Sequence, residues 1–137
     1  MAEITKSTKA SMASTQPPQN AKLSGLLFAG EALPMLAACY IKASDGLVYK
    51  STGAAANAAA KVRGFAARSY AIGDPVTLWR GPIQALYADA GGLTVATNLF
   101  LSSTVAGGLA DAASTGGTAP IGWAINDQMV ELYASNY

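Results

Sequence analysis

The chain has 137 residues, of which 51% are hydrophobic and only 12% charged, with a formal net charge of +1. That length fits one domain with a self-sufficient core, while so small a charge, spread over scattered basic residues, leaves no electrostatic footprint for nucleic acid. There is no histidine and a single cysteine, which removes the commonest triads, zinc sets and any intrachain disulfide.

Residues 1–20 are rich in Ser, Thr, Lys, Gln and Ala and end in Gln16-Pro17-Pro18-Gln19-Asn20. Such a composition buries too little apolar area to fold alone, and the proline pair favours extended backbone. Residues 1–22 are therefore expected to form an extended N-terminal arm and residues 23–137 a β-domain. The opening Met1-Ala2-Glu3-Ile4-Thr5-Lys6 lacks the apolar core of a signal peptide, and Ala2 stands where myristoylation needs glycine. Synthesis in a reducing cytoplasm is the expectation.

Residues 23–40 form a long apolar stretch, but Glu31 and Pro34 interrupt it and Gly25 and Gly30 punctuate it. Strands and a turn are expected there rather than a membrane span. Cys39 lies in Ala37-Ala38-Cys39-Tyr40-Ile41, the setting of a buried strand in which a thiol acts as a small hydrophobe. Tyr40 to Ala43, Ser44-Asp45-Gly46 and Leu47-Val48-Tyr49 read as a hairpin, because Asp-Gly accepts the positive φ of a tight turn. Residues 53–61 are alanine-rich without an apolar stripe, which predicts a surface excursion with at most one or two helical turns. Val62, Phe65 and Ala67 begin a strand, Gly73-Asp74-Pro75 turns, and residues 76–80 alternate with a period of two. Gly81-Pro82 breaks that strand. Residues 83–87 read as the next, Asp89-Ala90-Gly91-Gly92 as a turn and residues 95–101 as another strand.

Two segments, 36–79 and 95–133, spell one order: strand, glycine turn, short strand, small-residue loop, a hydrophobe-Gly-aromatic-Ala strand and an alternating strand. Val62-Arg63-Gly64-Phe65-Ala66 answers Pro120-Ile121-Gly122-Trp123-Ala124. Short strands with glycine turns, doubled, predict an all-β chain of two similar β-units in one small barrel or sandwich.

The aspartates Asp45, Asp74, Asp89, Asp111 and Asp127 each sit in turn-like surroundings, where backbone capping explains them better than a glycosidase pair. Gly91-Gly92 and Gly116-Gly117 lack the Lys and Ser/Thr of a phosphate loop. The expectation is a protein without enzymatic activity, catalytic residues, metal or cofactor. Trp79 and Trp123, near matching places of the two units, are candidates for core packing, for an interface anchor or for a stacking pair that binds sugar.

The run Leu47-Val48-Tyr49-Lys50, with Val62-Arg63-Gly64-Phe65-Ala66-Ala67 and Asp74-Pro75-Val76-Thr77-Leu78-Trp79-Arg80-Gly81, resembles the head decoration, or capsid cement, proteins of tailed bacteriophages, the lambda type included. Ile121-Gly122-Trp123-Ala124 repeats the same signature, and the likeness spans residues 25–133. It implies a small β-barrel or β-tulip that forms a homotrimer on the capsid exterior, with the major capsid protein and itself as partners, and neither nucleic acid nor membrane. The arm would meet the shell through Ile4, Thr5, Lys6, Thr8, Lys9, Pro17 and Pro18, adding a strand to an exposed edge. Deleting residues 1–20 is then expected to leave a folded domain that binds expanded capsids poorly. A carbohydrate- or receptor-binding β-module, and another virion subunit of tail tube or fibre, are the alternatives.

Overall fold

The computed structural model describes residues 3–12, 22–23 and 27–134. Among these residues twelve strands follow in chain order: β1 (Glu3–Ile4), β2 (Lys6–Met12), β3 (Lys22–Leu23), β4 (Ala38–Ile41), β5 (Val48–Lys50), β6 (Gly64–Ala66), β7 (Leu78–Trp79), β8 (Ile83–Ala88), β9 (Asn98–Leu101), β10 (Leu109–Ala110), β11 (Gly122–Ala124) and β12 (Met129–Leu132). The protein is all-β, and the alanine-rich excursion carries one 3₁₀ turn, Ala58–Ala60, capped by the Asn57 side chain. One sheet runs β3-β7-β6-β4-β5 and the other β1-β10-β9-β11-β12-β8-β2. Because β1 and β2 are consecutive in the chain yet lie at opposite edges, the seven-stranded sheet curls into a nearly closed barrel.

The two sheets contain the same unit twice. The order β3-β7-β6-β4-β5 is matched by β8-β12-β11-β9-β10. Registers agree residue by residue: Cys39 faces Gly64 as Leu99 faces Gly122, Ile41 faces Val48 as Leu101 faces Leu109, and Ala66 faces Leu78 as Ala124 faces Val130. Bonds outside the ladders repeat as well. Leu36 N–H donates to Ala66 O and Ala96 N–H to Ala124 O, both at 2.8 Å, and Arg63 N–H donates to Cys39 O as Ile121 N–H does to Leu99 O, again both at 2.8 Å. Leu36 and Ala96, which start the two units, hold the left-handed φ values of 64° and 65°.

The glycine of the shared strand has a steric cause in each copy. A Cβ on Gly64 would stand 2.8 Å from Leu78 Cβ, and one on Gly122 would stand 2.5 Å from Glu131 O. The neighbouring final strand crosses too closely for any side chain at that place. The hairpin turn between β4 and β5 is wider than a two-residue Asp-Gly turn. Lys42 N–H donates to Leu47 O, so residues 43–46 form the loop, with Gly46 at φ 73° and Asp45 Oδ1 accepting from Leu47 N–H at 2.9 Å. The alternating run at 76–80 is a strand only over Leu78–Trp79.

Burial separates the copies. Ala29, Leu33, Ala37, Cys39, Val48, Ala66, Tyr70, Val76 and Leu78 fill the inside of the first unit. A larger cluster joins residues of the second unit, among them Leu99, Leu101, Leu109, Val130 and Leu132, to Leu36, Ala38 and Phe65 on the other face of the first. The first sheet is thus covered on both faces, and all of β6 is buried. The equivalent outer face of the second unit carries Ala96, Asn98, Trp123 and Glu131, which are exposed or half-buried.

Candidate interaction surface of the N-terminal strands

The segment expected to be a separate arm is extended, but over residues 3–12 it belongs to the domain. Glu3 and Ile4 pair antiparallel with Ala110 and Leu109 of β10, while Lys6 pairs with Ala88 and Ser11 and Met12 with Leu86 and Ala85 of β8. Residues 3–12 thus pair with strands of the domain, and the expected boundary at residue 22 adjoins residues outside the described ones. The physical reason is the bare edge: without β1 and β2, the backbone N–H and C=O groups on the outer edges of β10 and β8 would have no partner strand. In the first unit the place equivalent to β10 is met from within the chain, where Ala29 bridges Val48 in parallel and Gly30 N–H donates to Val48 O at 2.9 Å. The duplicated units are closed by different means, one by its own segment and one by the N-terminal strands.

Polar and apolar side chains of the arm both meet the domain. Ser102, fully buried, accepts backbone N–H bonds from Thr104 at 3.1 Å and Val105 at 2.9 Å through its hydroxyl, and donates to Glu3 Oε1 at 2.5 Å. Thr104 Oγ1 donates to the same carboxylate oxygen. Lys6 Nζ donates to Met35 O at 2.5 Å and lies 6.0 Å from the ring centre of Tyr87. Its ammonium is held below the usual lysine range, chiefly by burial, with Lys50 adding repulsion against an opposing effect from Cys39. Burial also drives the Tyr87 hydroxyl upward, reinforced by the Glu3 charge. Of the described arm side chains, Ile4 and Ala10 pack on the core. The pairing of β2 is irregular: from 6 to 11 it advances five residues while β8 moves two, from 88 to 86. Where the arm passes from one edge to the other it crosses a cavity of about 290 Å³ bounded by Glu3, Lys6, Pro34, Tyr87 and the 105–108 loop.

Of the residues expected to meet a partner, Ile4 and Lys6 are half-buried and Thr5 and Thr8 exposed; Lys9 lies within β2, and Pro17 and Pro18 fall outside the described residues. Trp79 and Trp123 do not stand at matching places. Trp79 faces Phe65 across β6 and β7, and Trp123 faces Glu131 across β11 and β12, so Trp123 corresponds to Phe65 and Trp79 to Glu131. They belong to different sheets. Trp79 packs against the larger core cluster, whereas Trp123 is half-buried and donates from Nε1 to Glu131 Oε2 at 3.0 Å. The two aromatic residues, one strand apart, match in type but not in register.

A second polar-aromatic surface, on the β4–β5 hairpin, escaped the reading of the sequence. Tyr40 and Tyr49 are cross-strand partners with ring centres 6.2 Å apart, Lys42 Nζ lies 5.1 Å from the Tyr49 ring, and the Tyr49 hydroxyl donates to Asp45 Oδ2 at 2.6 Å. That bond lowers the Asp45 carboxyl and raises the Tyr49 hydroxyl. The available signal was the alternation of Tyr40 with Lys42 opposite Tyr49. Other aspartates serve turns: Asp74 Oδ2 accepts from Ala71 N–H and Asp127 Oδ2 from Gly91 N–H, both at 2.8 Å. Among the described residues no three Cys, Asp or Glu side chains converge as a metal set, and no helix is long and apolar enough to cross a membrane. Compared with family models, with curated proteins and with solved structures, the chain finds no match in any of the three.

Proposed function

We propose that this chain is a structural virion protein that binds the outer surface of a phage capsid and stabilises the expanded head by bridging neighbouring capsomers, as a trimer. The observation that carries the reading is the repeated Gly-aromatic-Ala strand, Gly64–Ala66 and Gly122–Ala124, at equivalent places in two topologically identical units. It is the strand on which the resemblance to decoration proteins rests. The low charge and 51% hydrophobic content suit a chain that works through contacts.

Adhesion needs no reactive group. Apolar burial contributes roughly 25 cal/mol per Å² before association costs are subtracted. Several subunit contacts acting together raise the effective concentration of each, so individually weak contacts hold a shell against internal pressure. The test compares expanded heads with and without the purified chain by negative stain during heating. Decorated heads are expected to stay intact at temperatures that open bare ones; equal rupture of the two would refute the reading.

A further inference from the structure

We propose that the N-terminal strands are exchangeable between copies of this chain, so that β1 and β2 of one molecule complete the second sheet of another and link the two. This stands apart from the capsid reading, because a monomer with its arm folded back on itself could still bind a shell.

The strand partners of β1 and β2, β10 and β8, belong to the second unit. The chain then runs through residues 13–21 to β3, which lies in the other sheet. Fully extended, a tether of that length reaches about 30 Å. The same strand pairs form whichever molecule supplies the arm, so the tether and the local concentration decide between self-closure and exchange.

The seat needs a strand, and its pairing with its own is interrupted. Ile4 and Ala10 supply the apolar contact, the pairing of β2 is broken between Lys6 and Ser11, and the crossing between edges spans the 290 Å³ cavity. The half-buried Lys6 ammonium regains water when the arm lifts. An emptied seat, however, leaves two bare strand edges and the Ser102 hydroxyl without its carboxylate. The arm of a second copy brings the matching Glu3, Ile4 and Lys6. The first unit, closed by residues 28–30 of its own chain, has no such exchange.

The test uses the full chain carrying Ile4→Cys and Leu109→Cys, a directly opposed pair, in a Cys39→Ala background. It is oxidised over a wide range of concentrations and resolved on denaturing gels. Exchange predicts interchain disulfides whose share rises in proportion to concentration; intramolecularly closed monomers at every concentration would overturn the proposal. Should the variant fail to fold, Glu3→Cys with Ala110→Cys, the neighbouring opposed pair, is oxidised in the same background and read the same way: interchain disulfides support exchange, and intramolecular closure at every concentration overturns it.

Discussion

Leu36 and Ala96 hold the same left-handed backbone angle at the same bond of two copies, yet one is buried and the other exposed. A non-glycine residue in that region costs roughly 1–2 kcal/mol. Ala96→Gly removes the strain without losing packing and is expected to raise stability by up to about 1 kcal/mol. Leu36→Gly removes the same strain but empties a core site, with an expected loss of about 3–5 kcal/mol. Urea denaturation of the two variants checks both signs. Cys39, wholly buried, has its thiol pushed up to about 12, first by burial and then by the Glu31 charge. It should ignore thiol reagents in the native chain near neutral pH and react once urea unfolds it. Rapid labelling of folded protein would contradict the burial. The folded state keeps this proton while the unfolded chain loses it from an ordinary value of 9.0. Cys39 therefore makes stability fall as pH rises from about 9 towards 12, and has no effect below that window.

At the scale of strands, the closure of the second unit is the feature with most consequence. A detachable arm would come off without cost to the fold. With β1 on β10 and β2 on β8, deletion of residues 1–12 opens the seven-stranded sheet at both edges. The expected outcome is a lower melting temperature and concentration-dependent aggregation, checked by calorimetry and light scattering. Retention of the parent melting temperature and a monomeric profile would show that the sheet stands without them. The two units were legible in the residues because glycine, aromatic and alanine recur at one spacing, for a steric reason common to both copies. The arm was not, because Lys6-Ser7-Thr8-Lys9 has no apolar alternation: the open edges of β10 and β8 and the polar contacts of Glu3 and Lys6 settle where it lies. The tryptophan pairing failed for a related cause, since register is set by hydrogen bonds across strands, and a slip moves an aromatic residue to another role.

Across the whole molecule, duplication has produced asymmetry. The outer face of the first unit is sealed against the second, while the corresponding face of the second meets solvent, and the residues have diverged accordingly: Ala38 against Asn98, Phe65 against Trp123, Trp79 against Glu131. Phe65→Ala is expected to lose about 3–5 kcal/mol of stability. Trp123→Ala, at the equivalent place, should lose no more than about 1–2 kcal/mol, most of it from the contact with Glu131. Equal losses in thermal melts would mean that both faces are covered alike. The hydrophobe-Gly-aromatic-Ala strand alone does not distinguish the two faces, since both copies carry it; the signal lies in the neighbouring strands, where Asn98 and Glu131 replace Ala38 and Trp79.

The proposed role is binding to other proteins at a shell. Its most direct test is a cryo-electron reconstruction of expanded phage heads incubated with the purified chain and freed of unbound protein. Density for the barrel on the shell exterior, lying across capsomer boundaries in groups of three, is the predicted result; bare heads at saturating protein would contradict it.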